Sequence, residues 1–402
     1  MKDLIIGDLE ELFSKKELDN IVKDYGFTDR SRLQDSLNKL CSAFKMYSTA
    51  QPSSTKKDVR KAYKAISSYS DKLAKALDIS VTTVSKALQN YPDVSPKTKK
   101  RVKEYAEKVN FKPNSFAAYL RTHESKTVGI VIPRLNHYFF SSILRGIITE
   151  AEKHEYMTFI LCSDESYELE KIQIERLINK NVDGIFLSIA DKTHDLGHIQ
   201  NIIDKETSLV IFDKYSKLTA CSSVVIDDQK AAYTAVEHLI KKGKTKIAHF
   251  RGPLLPQNSI DRFLGYRKAL DDYGLEYDKD LVFICDDIND TEGYNHMQTI
   301  LDEKIEIDAI FAVADLPAVG AMNCLLENNI KIPEEVSVIG FSNWLISSLI
   351  TPSLSTIDQP GELMGRKAFQ VFMNEREMKK KKKKVEFKKH EIETTLIERD
   401  ST

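Results

Sequence analysis

The sequence predicts an α-helical N-terminal region containing a helix-turn-helix headpiece, followed by an α/β core of two lobes with doubly wound parallel sheets. Short apolar runs alternate with helical patterns twice in succession after residue 127, and two short apolar stripes flank a break near Ser80. The charge is also unevenly distributed. Residues 55–126 hold 17 Lys and Arg against 7 Asp and Glu, a net of +10, so a chain of net charge -1 carries -11 elsewhere. A basic segment on an acidic body is typical of a DNA-binding headpiece.

Residues 1–54 carry apolar side chains at roughly helical spacing in two stretches, residues 8–25 and 31–47, which predict two amphipathic helices. A linker, residues 48–54, separates them from a basic segment. This extension has two possible interpretations. It is a helical appendage that mediates contacts, or a fused segment with no part in the action of the remaining chain. The sequence favours neither.

A helix-turn-helix is predicted around Ser80. Two apolar stripes are separated by only a few residues: Leu73, Ala74 and Leu77, then Ile79, Val84 and Leu88. Ser80 is a suitable N-cap for the second helix. The rest of that helix offers short polar or methyl-bearing side chains and one cation, which suit base edges in the major groove: Val81, Thr82, Thr83, Ser85 and Lys86. An ordinary solvated helical hairpin would show the same local pattern.

A third helix is predicted from Ser95, a capping residue, and Pro96, which is favourable at a first helical position. Its apolar face holds Val102, Tyr105, Ala106 and Val109, and its other face is basic. We expect cations of this helix to hold DNA phosphates: Lys97, Lys99 and Lys100.

The segment Asn110-Phe111-Lys112-Pro113-Asn114-Ser115-Phe116-Ala117-Ala118-Tyr119-Leu120-Arg121 follows, and with it residues 73–121 resemble the DNA-binding headpiece of the lactose-repressor (LacI/GalR) family. The resemblance implies a hinge that becomes helical on the operator and inserts Leu120 into a minor-groove step, with Ala117 packed beside it. It also implies that Asn114 holds a phosphate. The expected boundaries are residues 55–112 for the headpiece and 113–126 for the hinge and linker.

The α/β core is expected at residues 127–402. Strands are predicted at residues 127–133, 157–162, 184–189 and 209–213 in the first lobe, and at residues 246–250, 282–285, 309–313 and 336–341 in the second. First-lobe helices are predicted at residues 140–154 and 168–179. Two late segments, residues 354–357 and 385–397, are expected to return across the lobes. Ligands of such folds bind at the carboxyl ends of the strands, here in the cleft between the lobes.

The core resembles the periplasmic-binding-protein-like effector core of the same family. Its motifs include Val128-Gly129-Ile130-Val131-Ile132-Pro133, Asp315-Leu316-Pro317-Ala318-Val319-Gly320-Ala321 and Thr356-Ile357-Asp358-Gln359-Pro360. The resemblance implies a carbohydrate-like effector and places these residues at its site: Tyr138, Phe139, Asn258, Arg262, Ile288, Asp315 and Trp344. For Asp315 the alternative is a helix cap, for Arg262 a salt bridge, and for Ile288 and Trp344 a place in the core.

Nothing in the sequence points to an enzyme. The i, i+4 pair His194 and His198 lacks the intervening Glu of a zinc protease, and the five cysteines show no metal-ligand spacing, so neither metal nor cofactor is expected. No leader-like segment or long apolar run is present, which predicts a cytoplasmic protein. The lysine run at residues 379–384 is expected to be a solvated loop far in the fold from the headpiece.

Together these features predict a homodimeric transcription regulator, expected to be a repressor. Its paired headpieces would bind a near-palindromic operator in double-stranded DNA, and a small-molecule effector in the cleft would change the angle between the lobes. The alternative is a small-molecule sensor whose N-terminal region serves protein contacts and does not bind DNA.

Overall fold

The computed structural model describes residues 73–88, 90–109, 124–135 and 137–402. The chain divides into two units, Met1–Ser125 and Lys126–Thr402. The predicted helices of residues 1–54 lie outside the described residues.

The described part of the first unit contains the predicted helix-turn-helix and the helix after it. Residues 73–77 are helical, and α1 (Val81–Leu88) and α2 (Pro96–Lys108) follow. The N-caps are those that the sequence predicts: the amide of Thr83 donates to Ser80 Oγ, and the amide of Thr98 donates to Ser95 Oγ. A small apolar core joins the three segments, formed by Leu73, Ala74, Leu77, Val84, Ala87, Val94, Val102 and Ala106.

The first lobe of the second unit is a six-stranded sheet in the order β11-β5-β4-β3-β1-β2. Its strands are β1 (Thr127–Ile132), β2 (Met157–Cys162), β3 (Gly184–Leu187), β4 (Ser208–Phe212), β5 (Ser222–Ile226) and β11 (Lys389–Ile392), and all pairs are parallel. Its helices are α3 (Tyr138–Lys153), α4 (Tyr167–Asn179), α5 (Gly197–Asp204) and α10 (Gly361–Lys380). Strands β3, β4 and β5 are buried along their whole length, whereas β2 is a half-exposed edge strand.

The second lobe repeats this plan in the order β12-β10-β9-β8-β6-β7. Its strands are β6 (Ile247–Arg251), β7 (Val282–Ile284), β8 (Ala309–Ala312), β9 (Ser337–Phe341), β10 (Ser355–Asp358) and β12 (Thr395–Ile397), of which β12 alone runs antiparallel. Its helices are α6 (Asp228–Lys241), α7 (Gln257–Asp272), α8 (Asp290–Asp302) and α9 (Asp315–Glu327), with short 3-10 turns at Lys279–Leu281 and Leu345–Ser348.

The chain crosses between the lobes three times: between β5 and α6, between β10 and α10, and between β11 and β12. The third crossing agrees with the expectation for residues 385–397, because β11 joins the first sheet and β12 the second. Strand β5 was not predicted. Among the described residues, no helix combines the length and apolar character that crossing a membrane requires.

Candidate functional site

A cavity lies between the lobes, where the carboxyl ends of both sheets face each other. About 700 Å³ of space, including solvent at its mouth, is enclosed by residues from both lobes. The first lobe contributes Arg134, His137, Phe139, Phe140, Glu165, Asp191, Lys192, Asp213 and Lys214, and the second contributes Asn258, Arg262, Asp286, Asp287, Ile288, Ala314 and Ser342, with Gln359 at a crossing. The lining is therefore an apolar and aromatic patch beside many charged groups.

The first-lobe wall is organised around the buried ammonium of Lys214. Its Nζ donates to Glu165 Oε1 at 2.7 Å and to Asp191 Oδ1 at 2.5 Å. Burial alone would lower the pKa of Lys214, but the carboxylates of Asp191, Glu165 and Asp213 raise it above its ordinary value. Burial raises the pKa of Asp213 to about 7, against the opposing effect of Lys214 and Arg262. This buried cluster therefore combines the permanent cation of Lys214 with the carboxyl group of Asp213, whose pKa lies near neutrality.

The second-lobe wall is organised around the guanidinium of Arg262. Its Nε donates to Asp228 Oδ1 and its Nη1 to the carbonyl of Val313, both at 2.8 Å, and it lies 3.7 Å above the ring of Phe341. Arg262 is on α7 and Asp228 is the first residue of α6, so the pair joins these helices at the cavity wall. Burial raises the pKa of Asp228 to about 6, although Arg262 acts to lower it.

Two contacts bridge the lobes across the cavity. Arg134 Nη2 lies 3.0 Å from Asp287 Oδ1, and both side chains are about half exposed. The rings of His137 and Trp344 meet edge to face at 4.2 Å between centroids. Burial, together with nearby Lys214, Arg262 and Arg134, lowers the pKa of His137 to about 3, so this imidazole is neutral at physiological pH. Each contact would break if the lobes moved apart.

Among the predicted effector residues, Asp315 lies elsewhere than expected. It is fully buried and absent from the cavity lining. Its Oδ1 accepts from the hydroxyl of Thr356 and its Oδ2 from the amide of Trp344, both at 2.6 Å. Burial raises its pKa to about 7 against these hydrogen bonds. Asp315 therefore holds two segments of the second lobe together, and its side chain does not line the cavity.

The other predicted effector residues divide into two groups. Phe139, Asn258, Arg262 and Ile288 line the cavity. Tyr138 is 47% exposed and lines a neighbouring groove, and Trp344 packs against His137 without lining the cavity.

The sequence motifs did not indicate the charged wall formed by Glu165, Asp191, Asp213 and Lys214. A usable signal existed, because Asp213 is the last residue of the strand predicted at 209–213, Lys214 follows it, and Asp191 lies two residues after the strand predicted at 184–189. Polar residues at the carboxyl ends of parallel strands face the ligand crevice in such folds.

Cys285, Glu292 and His296 also come together, with ligand-type atoms within 4.8 Å of one another. Burial and the carboxylates of Glu292 and Asp286 raise the pKa of the Cys285 thiol to about 12, so the thiol is protonated at neutral pH. His296 Nε2 lies 3.0 Å from the carbonyl of Ile284. We assign no metal to this cluster.

In the first unit, α1 carries the predicted base-reading residues at half-buried positions around the buried Val84 and Ala87. The hydroxyl of Thr83 lies 2.8 Å from Ser80 Oγ and so belongs to the helix cap. Lys86 Nζ is 2.5 Å from Asp93 Oδ2, but both side chains are about half exposed, so exchange of this partner for another acceptor costs little.

The predicted phosphate-binding lysines lie on α2. Lys97 is exposed, Lys99 Nζ donates to the carbonyl of Asn90, and Lys100 lies 3.8 Å from Glu104 at the surface. Asn114, Ala117 and Leu120 lie outside the described residues.

Comparisons with known proteins match both units. Residues 72–114 match the family described as "Bacterial regulatory proteins, lacI family", and residues 125–397 match "Periplasmic binding proteins and sugar binding domain of LacI family". The HTH-type transcriptional regulator RegA of Clostridium saccharobutylicum is 30% identical over 331 residues, which cover 82% of this chain and 98% of the relative.

Two solved structures resemble this chain in fold over most of its length. A transcriptional regulator CelR-cellobiose complex is 25% identical with a TM-score of 0.62, covering 83% of this chain and 99% of the other. The Lac repressor dimer bound to operator and the anti-inducer ONPF has a TM-score of 0.72, covering 82% of this chain and 97% of the other. At 22% identity, this second likeness shows the fold.

Proposed function

This chain belongs to the LacI family of bacterial regulatory proteins, and from that membership we propose that it acts as a homodimer on a near-palindromic operator. It is a DNA-binding transcription regulator with a helix-turn-helix and an effector-binding domain. Its place of action is the cytoplasm, where a regulator meets DNA. The observation that carries the proposal is a capped, basic helix-turn-helix joined to a two-lobed core with a charged cavity.

For the DNA side, we assign base reading in the major groove to Val81, Thr82 and Lys86 on α1. A methyl group can contact a thymine methyl, and an ammonium can donate to guanine acceptors. Lys97, Lys99 and Lys100 on α2 hold phosphates, which position the headpiece and carry no sequence information.

For the effector, we propose a compact, uncharged, hydroxyl-rich molecule of carbohydrate type. The cavity lining holds five carboxylates and four cations, a nearly balanced set of acceptors and donors. Hydroxyl groups both donate and accept, so they can bind to such a set without bringing an unpaired charge into the cavity. Phe139, Phe140 and Ile288 supply an apolar surface for a ring face. The regulator CelR, a relative of this chain, forms a complex with cellobiose.

For the homodimer, the edge strands offer the contact surface. On β2, Met157 is 61% exposed, Phe159 38% and Ile160 36%, and Ile284 is 41% exposed on β7, the equivalent edge of the second sheet. An exposed apolar edge strand promotes association with another chain unless it is covered. We propose that a second copy of this chain covers the exposed edges of β2 and β7.

Effector binding would act through the angle between the lobes. A ligand that contacts both walls favours the arrangement in which Arg134 reaches Asp287, because it binds that arrangement more tightly than an open one. Since β2 and β7 belong to different lobes, a change of interlobe angle also changes how two copies meet.

The test is selection of duplexes from a random pool with the full-length protein, followed by titration of the selected duplex. We expect an enriched sequence with two-fold symmetry and two chains bound per duplex. Enrichment of no sequence, or binding of one chain per site, contradicts the proposal.

A further inference from the structure

Residues 379–384 are six consecutive lysines at the end of α10. Two backbone hydrogen bonds fix the conformation of this run. The amide of Lys382 donates to the carbonyl of Lys379, and the amide of Lys383 donates to the carbonyl of Met378. With Lys382 at a φ of 54°, these bonds form the left-handed helix cap in which Gly is the usual residue. Lysine at this position is less favourable than glycine for the stability of the helix cap.

The run lies at the pole of the first lobe where the chain enters the core. Arg376, one turn before the run, is 3.3 Å from Asp183 Oδ2, and the same oxygen accepts from the amide of Lys126 at 3.1 Å. Lys379 Nζ donates to the hydroxyl of Ser208, the first residue of β4. These contacts place the run beside Lys126, the first residue of the second unit, at the amino ends of the first-lobe strands.

Much of the charge at this pole is not neutralised. Lys381 pairs with Glu377 at 2.5 Å. Lys382, Lys383 and Lys384 are exposed and have no side-chain partner among the residues that the structure describes. Helix C-termini favour nearby cations, but that effect fades within the last turn and so does not account for lysines beyond it.

We propose that Lys382, Lys383 and Lys384 form a second DNA-binding site, which holds phosphates of the duplex that flanks the operator. This inference rests on the proposed operator binding by the headpiece. The chain between residues 109 and 126 spans at most about 60 Å even when fully extended, so it links the headpiece to Lys126, beside the run, over a distance that the flanks of a long duplex can cover. A cluster of cations there neutralises phosphates without reading sequence.

The experiment measures affinity of the full-length protein for the selected operator within a duplex of about 20 base pairs and within one of about 50, over a range of salt concentrations. The test variant is Lys382→Gln/Lys383→Gln/Lys384→Gln. The matched control is Lys279→Gln/Lys304→Gln/Lys331→Gln, which removes three exposed lysines near the amino ends of second-lobe strands, at the opposite pole of the core.

We expect the wild type and the control to bind the long duplex more tightly than the short one. The test variant should lose this gain, and its affinity for the long duplex should be lower by about tenfold or more. The slope of log affinity against log salt concentration should become shallower by about 3 per protomer. Its affinity for the short duplex should equal that of the control.

A single variant separates charge from folding. Lys382→Gly suits the left-handed conformation, so it should raise thermal stability. For the long duplex, it should also reduce the slope of log affinity against log salt concentration by about 1 per protomer. If the test and control triple variants bind both duplexes with equal affinity, there is no flanking site. The same follows if the test variant loses as much affinity for the short duplex as for the long one. Failure of the wild type to bind the selected operator overturns the proposed function itself.

Discussion

Replacing Arg262 by Met tests whether this residue holds the second lobe together, in addition to lining the cavity. The substitution keeps most of the side-chain volume and removes the cation. It leaves the carboxylate of Asp228, whose side chain is 3% exposed, without its ion-pair partner, and it leaves the carbonyl of Val313 without a donor.

The expected loss follows from burial of the pair. Breaking a buried ion pair from one side costs about 3 to 5 kcal/mol, because the remaining charge stays desolvated. Total unfolding free energies are about 5 to 15 kcal/mol, so Arg262→Met should remove a large fraction of the stability. The exposed pair of Lys268 and Asp272 on the same helix provides the control, and Lys268→Met should cost about 0.5 kcal/mol or less.

The loss should depend on pH. Burial already raises the pKa of Asp228 to about 6 with Arg262 present, and loss of the cation raises it further. A carboxyl group whose pKa is higher in the folded than in the unfolded protein binds more protons when folded, so its contribution to stability falls as the pH rises through that range. The penalty of Arg262→Met should therefore be smaller at about pH 5.5 than at about pH 8.

Urea unfolding of the wild type, of Arg262→Met, of Asp228→Asn and of the double variant Arg262→Met/Asp228→Asn provides the measurement, with Lys268→Met as the control. We expect a coupling free energy of about 2 kcal/mol or more between the two positions at about pH 8. If Arg262→Met costs no more than Lys268→Met at that pH, the reasoning about the buried pair is wrong.

Three further predictions concern other parts of the chain. Lys86→Ala should weaken binding to the selected operator by about 1 to 3 kcal/mol, with a smaller loss on random DNA, as measured by fluorescence anisotropy. Asp213→Asn should make the protein more stable than the wild type above about pH 7 and about equally stable near pH 4, because burial of Asp213 penalises its charged form and so raises its pKa. Thermal unfolding across this pH range measures the difference in stability. Gly320→Ala should cost about 1 to 3 kcal/mol in urea unfolding, because a Cβ there would lie 1.8 Å from the carbonyl oxygen of Asp290.

A different outcome would contradict each of these three predictions. Equal losses on operator and random DNA would show that Lys86 contacts phosphates only. Parallel stability curves for the wild type and Asp213→Asn would show that this carboxyl does not titrate in the range expected. For Gly320→Ala the control is Gly197→Ala, whose new Cβ would meet only the movable carboxylate of Asp195 at 2.9 Å. A loss no larger than in this control would contradict close packing of α8 on α9.

Local signals in the sequence were sufficient for most of the fold. The apolar runs of β1 and β8 and the caps Ser80 and Ser95 depend on neighbours in the chain, and they are found as predicted. Strand β5 was missed because it begins with Ser222 and Ser223, which resemble a turn. The hydroxyl of Ser222 accepts from the amide of Lys388, 166 residues away, so the partner that accommodates a polar residue in a buried strand is not visible locally.

The site depends still more on distant contacts. Asp315 is paired with residues 29 and 41 positions away, and these turn its carboxylate from the cavity into the lobe. Lys214 finds its carboxylates 49 and 23 positions away. A motif indicates which end of a strand carries a side chain, but the direction of that side chain is decided by partners from other parts of the chain.

We propose that this chain binds one operator sequence through the headpiece. The most direct measurement is parallel selection from a random duplex pool with the full-length protein and with a shortened protein that begins at Thr55. We expect both to enrich the same palindrome, which would show a DNA-binding regulator that tolerates its N-terminal extension. A palindrome from the shortened protein alone would mean that residues 1–54 mask the headpiece, and enrichment by neither would contradict the claim.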